Sequence, residues 1–230
     1  MIKTVFFDLY HTLVRYDPPR EEQQIAALAA HGMVTDHQTM CMALQVADVF
    51  FYEENARAAI FKRPAHEQMA FYEEYECIVL EQCGFDVSEE TALEIFKQMH
   101  EAPKKLVLYD DVLPTFDALR AKGITLGLIT NAEQGQAPFE QLGLYDLLDY
   151  LVTSPDEGMG KPQPHIFWAA LRQAGVKASE AIHVGDQYDV DVVGAQGVGI
   201  KALLLDRNNM FDQIDDCPKI SSLTEIVAHL

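Results

Sequence analysis

The sequence predicts an α/β protein: a core built on a parallel sheet, with an all-helical block inserted after the first strand. Three observations carry this prediction. Residues 2–8 form a short apolar run rich in β-branched and aromatic side chains. Residues from about 20 to 102 show only helical spacing, and from Leu106 onward short apolar segments alternate with helical ones. Such alternation implies right-handed β-α-β units and a sheet covered on both faces.

Each element has its own signal. Residues 21–31 carry Ile25, Leu28 and Ala29 at helical spacing and stop at Gly32. Helices are predicted over 40–60, over 65–83 with a stop at Gly84, and over 88–101. In the last of these, Ser88 and Thr91 suit a start and Pro103 a stop. A helix over 114–122 ends at Gly123, and an apolar strand follows over 124–130. Then come a helix over 138–142, a strand over 150–153 and a helix over 164–174 closed by Gly175. A strand over 181–184 runs into Gly185-Asp186, and a further helix leads to a strand over 200–205. The core is therefore expected from residues 1–15 and 104–230, and the helical block from 16–103. There is no internal repeat, low-complexity tract or Pro/Ser-rich linker.

The bulk numbers narrow the partners. The 230 residues suffice for one sizeable core with a smaller insert, at 49% hydrophobic and 23% charged. Thirty-six acidic against 17 basic residues give a formal charge of −19. That surface repels nucleic acid and anionic lipid, so neither is an expected partner. It also repels a phosphorylated substrate, which would need local cations at its site. No apolar run approaches the ~20 residues that span a bilayer, and the N-terminus places an Asp inside its apolar run, unlike a signal peptide. Cys41, Cys77, Cys83 and Cys217 show neither C-x-x-C nor metal-ligand spacing. Reduced thiols and a cytoplasmic location are the expectation.

In open parallel sheets ligands bind beyond the C-terminal ends of the strands. Asp8, Thr130-Asn131, Lys161 and Gly185-Asp186 fall at or just after such ends. One polar residue there is ordinarily a helix cap; the ordered series is what carries information. With it, the chain resembles the haloacid dehalogenase superfamily of aspartate-nucleophile hydrolases over essentially its whole length. FDLYHTL is similar to the motif D-x-D-x-T-L, and LITNAEQ to the motif placing Thr or Ser after a strand. GMGKPQPHIF resembles the Lys-Pro motif, and VGDQYDVDVVGA the acidic motif, with Asp191 five residues after Asp186.

The resemblance implies a Rossmann-like core and makes the helical block a cap that closes over substrate. It implies Asp8 as nucleophile, forming a covalent intermediate that water hydrolyses. Thr130, Asn131 and nearby backbone N–H groups would hold the transferring group, and Lys161 would offset the meeting of two anions. Asp186 would bind Mg²⁺ with Asp8 and the backbone carbonyl of Tyr10. Asp191 is either a further metal-linked carboxylate or the partner of Lys161. Asp189 is expected to face solvent or to stand behind the ligands.

Tyr10 departs from the pattern. Phosphatases of the resembled family carry a second Asp there, which protonates the leaving alkoxide; such a group is typically worth about 10²–10⁴ in rate. Tyr at this position resembles the metal-free 2-haloacid dehalogenases, whose halide leaves without a proton. Against that stands the acidic motif, because carboxylates crowded around Asp8 without a cation would raise its pKa. Tyr10 or His11 are candidate acids. His183 is expected to be a packed core residue, and His165 a helix-start residue. In the cap, Tyr52, Asn55 and Arg57 are candidates for substrate selection beside a core-packing reading, and Arg63 is a further candidate for a carboxylate grip. The leading expectation is Mg²⁺-dependent hydrolysis of a small phosphomonoester by a monomer or homodimer. A metal-free dehalogenase and a degenerate phosphate-ligand binder are the alternatives.

Overall fold

The computed structural model describes residues 1–132 and 142–230. All four residues of the first strand, β1 (Thr4–Phe7), are buried. A strand buried on both sides is mostly apolar, and its neighbours must satisfy its polar groups: the one polar side chain, Thr4, meets Thr125 Oγ1 at 2.8 Å. Those neighbours are β4 (Thr125–Thr130) and β6 (Ala181–Gly185), both parallel, with Phe7 in register with Leu128 and Val184. Adding β5 (Tyr150–Thr153), β7 (Lys201–Leu205) and β8 (Lys219–Ile220) gives the order β5-β4-β1-β6-β7-β8, parallel at every pairing.

The period of two sorts these strands between two packed layers. Val5, Phe7, Leu126, Leu128, Ile182, Val184, Leu203 and Leu205 join one apolar cluster. Phe6, Ile129, Ala181, Ala202 and Leu204 join the other, with Ile166 and Phe167 of the helix Pro164–Ala174. The sheet is thus covered on both faces, as the alternating texture predicts.

Two compact units divide the chain: Met1–Arg15 with Leu106–Leu230, and Tyr16–Lys105. The boundaries run through β2 (Val14–Asp17) and β3 (Lys105–Leu108), which form a two-stranded sheet. The second unit holds α1 (Arg20–Ala30), α2 (His37–Arg57), α3 (Ala65–Gln82) and α4 (Glu89–Glu101). Their core gathers Leu28, Met40, Leu44, Val79, Leu80 and Ile95.

Boundaries move where local chemistry overrides periodicity. α2 starts at His37 rather than 40 because the Asp36 carboxylate accepts from Thr39 N–H (2.9 Å). It stops at Arg57 rather than 60, since Ala58 is extended and Asn55 Oδ1 accepts from Ile60 N–H (3.0 Å). The helix expected over 114–122 runs Val112–Arg120. β8 has only two residues, and β2 reads Val-Arg-Tyr-Asp with only Val14 buried, so neither shows as an apolar run. The helix expected over 138–142 falls on residues 138–141, outside the described residues. Among the described residues no helix is long and apolar enough to cross a membrane, and the four cysteines are free thiols.

The helical unit also buries polar groups. Tyr75 OH donates to Asp48 (2.9 Å), whose carboxylate also receives Arg20 in bidentate fashion. Glu76 is 1% exposed and accepts from Gln24 Nε2. Burial pushes its carboxyl up from 4.5 to about 7, against the Gln24 hydrogen bond. Between these values the unfolded chain has released this proton while the folded chain keeps it, so stability falls as pH rises across that window, by about 3 kcal/mol. Glu76→Gln is therefore expected to raise the urea midpoint at pH 8 and to change it little at pH 5. Equal shifts at both pH values would mean the carboxyl does not titrate in this way.

Candidate active site

A buried strand keeps its backbone bonded to its neighbours until the sheet ends, and polar side chains can gather just beyond. Asp8 sits there: its N–H still donates to Val184 O (2.9 Å) while its side chain leaves the layer. The chain then turns tightly, Leu13 and Val14 N–H both donating to Leu9 O (2.9 and 3.0 Å). His11 closes this turn with φ 61°, in the left-handed region. Tyr10 is half-buried, bridged to Val14 and packed against the cluster of Leu9, Leu13 and Phe116.

The flanking strands end in Thr130 (β4) and Gly185 (β6), and Lys161 comes from the loop before the helix Pro164–Ala174. Its ammonium is 2% exposed and donates to Asp8 Oδ1 and to Asp191 Oδ1, the latter at 2.6 Å. Asp191 is delivered by a five-residue π-helical turn, Tyr188–Val192, which folds it back over Gly185. It is held from three sides: Lys161 Nζ and His183 Nε2 (2.9 Å) meet Oδ1, and Gln187 N–H donates to Oδ2 (3.2 Å). Gly185 is required for this, because a Cβ there would collide with the Asp191 carboxyl carbon.

Asn131, expected to touch the transferring group, turns toward the loop instead. Its Nδ2 donates to Lys161 O (2.9 Å), and its Oδ1 accepts Lys161 N–H (2.7 Å). The side chain therefore clamps the backbone that carries the lysine, and Gly160 leaves room for it. Thr130 Oγ1 accepts from Ala132 N–H (3.0 Å), which leaves its own proton to be donated elsewhere. Asp186 lies on the same rim, with Thr12 Oγ1 3.5 Å from Oδ1 and Gln187 Nε2 3.0 Å from Oδ2.

Asp8, Asp186 and Asp191 each offer a carboxylate oxygen, all within 4.8 Å of one another. Burial pushes Asp8 up to about 6; Lys161 opposes the rise and Asp191 adds to it. Burial also pushes Asp191 up, but Lys161 and His183 outweigh it and hold the carboxyl well below the usual range. The Lys161 ammonium is destabilised by burial and more than restored by Asp191 and Asp8, ending well above its ordinary value. Three carboxylates against one ammonium leave negative charge in excess, and the donors are hard oxygens. That set fits a divalent cation such as Mg²⁺.

Of the other candidates, Asp189 is exposed and outside this group. His165 is the second residue of its helix and lies 3.3 Å from Glu157. In the helical unit, Arg57 is 3 residues from its ion-pair partner Glu54, at 2.5 Å, and Arg63 binds the same carboxylate at 3.1 Å. Tyr52 packs edge-on against Phe51, and the Asn55 side chain is engaged in the turn after α2.

Sequence reasoning missed two contacts. The grip of Asn131 on Lys161 spans 30 residues and leaves no local pattern. The contact of His183 with Asp191 did leave one, since strand alternation puts His183 and Gly185 on the same face.

The family model for haloacid dehalogenase-like hydrolases matches residues 2–199. The glyceraldehyde 3-phosphate phosphatase of Methanopyrus kandleri is 28% identical over 218 residues, covering 92% of this chain and 87% of its own. The ribulose-1,5-bisphosphate 5-phosphatase of Halopiger xanaduensis is 28% identical over 230 residues, covering 96% and 92%. The crystal structure of a 2-haloacid dehalogenase from Pseudomonas syringae pv. Tomato superposes with TM-score 0.56 at 30% identity, covering 99% of this chain and 97% of that one.

Proposed function

We propose that this chain, which belongs to the haloacid dehalogenase-like hydrolase family, hydrolyses a small phosphomonoester with Asp8 as nucleophile. The observation that carries this reading is the acidic trio of Asp8, Asp186 and Asp191 around one buried lysine. Phosphatases at 28% identity over most of the chain support it.

Asp8 attacks phosphorus, forming an acyl phosphate as the bond to the leaving oxygen breaks; water then attacks phosphorus and returns the carboxylate. Lys161 stays charged throughout and offsets the approach of Asp8 to an anionic phosphoryl group. Thr130 donates its hydroxyl proton to a phosphoryl oxygen. Asp8, Asp186 and the Tyr10 carbonyl would hold Mg²⁺, which would supply positive charge against the phosphoryl oxygens. Both oxygens of Asp191 are engaged by protein donors, which favours its role as the partner of Lys161 over that of a direct ligand. The helical unit acts as the cap that selects substrate, and a cytoplasmic setting suits its free thiols.

A second reading is metal-free dehalogenation, favoured by Tyr10 and by the Pseudomonas dehalogenase at 30% identity. The two separate in one assay: p-nitrophenyl phosphate and 2-chloropropionate, each with Mg²⁺ and with chelator. p-Nitrophenolate leaves without a proton, so the assay does not depend on an acid at position 10. Phosphate release that stops on chelation is the expected result. Halide release indifferent to chelator would replace the phosphatase reading by its rival.

A further inference from the structure

We propose that His183 is a positioning residue for the nucleophile, acting through Asp191 on Lys161. The inference rests on the assignment of Asp8 as nucleophile, but the contacts that carry it are independent of any bound group.

His183 lies mid-strand in β6, 0% exposed, on the face that also carries Phe6 and Phe167. An imidazole in an apolar layer is costly unless its polar atoms are satisfied. Among the described residues only one is: Nε2 lies 2.9 Å from Asp191 Oδ1, while buried Nδ1 has no hydrogen-bond partner there. The carboxylate oxygen can only accept, so Nε2 carries the proton; a second proton on Nδ1 would be a buried donor facing no acceptor, and burial disfavours the charged ring, so Nδ1 is bare. The ring is a neutral, single-tautomer donor.

The surroundings fix its plane. Phe167 meets the imidazole edge-on, centroids 5.3 Å apart at 85°. Phe167 is itself seated against Gly194, where a Cβ would approach its ring carbon to 2.7 Å. A rigid donor therefore meets the same Asp191 oxygen that receives Lys161 Nζ at 2.6 Å. Two donors on one oxygen divide its charge, so Asp191 holds the ammonium without taking it wholly from Asp8. Without the imidazole, Asp191 turns toward Lys161 alone and draws Nζ away from Asp8. A neutral donor suits this role better than a cation, which would compete with Lys161 for the same charge.

The test pairs two amide variants. In His183→Gln the amide nitrogen reaches the place of Nε2; in His183→Asn it reaches only that of Nδ1. Crystal structures are expected to keep Lys161 Nζ on Asp8 in the parent and in His183→Gln, and to show it displaced toward Asp191 in His183→Asn. With p-nitrophenyl phosphate and Mg²⁺, kcat of His183→Asn is expected to fall about 10- to 100-fold with KM nearly unchanged, and His183→Gln to restore most of it. Nitrogen-15 NMR of the metal-free parent is expected to show the proton on Nε2. A proton on Nδ1, an undisturbed Lys161–Asp8 contact in His183→Asn, or equal loss in both variants would overturn the proposal. If the parent does not turn over p-nitrophenyl phosphate, the phosphatase reading fails, while the tautomer and the Lys161 position still decide the role of His183.

Discussion

Lys161→Met is expected to destabilise the α/β unit by about 3–5 kcal/mol at neutral pH, the cost of stripping one partner from a buried ion pair. The methionine fills much the same volume, so the loss is electrostatic. Asp8 and Asp191 are left facing each other, the latter 1% exposed. The sign with pH follows from Asp191 and Asp8. The folded carboxyl of Asp191 lies below the ordinary carboxylate range, so its contribution is present above the unfolded value and disappears as pH falls through the folded one. That window lies below pH 4; nearer neutrality the Asp8 carboxyl, already at about 6 with Lys161 opposing its rise, titrates higher still without the lysine, so the deficit of Lys161→Met is expected to be widest near pH 8 and to narrow toward pH 5 as it takes up a proton. Urea midpoints of parent and variant at the two pH values measure it. A deficit independent of pH would point to lost packing instead.

Asp8→Asn is expected to carry the largest effect on activity: a fall of about 10⁴-fold or more in kcat, as for other lost nucleophiles. Stability is expected to move the other way or not at all. The parent carboxyl is pushed up to about 6, chiefly by burial, so keeping it ionised at neutral pH costs stability that the amide does not. Rapid quench with intact-mass detection is expected to find a phosphorylated parent and an unmodified variant. Covalent phosphate on Asp8→Asn would place the nucleophile elsewhere.

How much of this was legible depends on the range of each signal. The helix Pro164–Ala174 appears at the bounds that Pro164 and Gly175 indicate, because its start and stop signals stand at its own two ends, and β5 matches its short apolar run. Asp8, Lys161, Asp186 and Asp191 were legible from order and spacing, since each follows a strand or a turn that a parallel sheet gathers at one edge. The role of Asn131 was not. Its residue type suggested a contact with the reacting group, whereas its two hydrogen bonds go to the backbone of Lys161. His183 reads as core because it is core; only the placement of Asp191 by the π-helical turn shows that it also donates a hydrogen bond. Tyr10 was visible as a departure, and its packing against the apolar cluster under the sheet shows why the position tolerates a large apolar body.

Two of the positions on which this chemistry leans carry no functional group at all. Gly185 and Gly160 matter for the hollow each leaves, one filled by the carboxyl of Asp191 and the other by the amide of Asn131. In a saturation screen even alanine should be depleted in both columns, more deeply at Gly185, where the added carbon meets Asp191 as far back as its Cβ, than at Gly160, where it meets the end of an amide. A search for function by reactive side chains alone would pass over both.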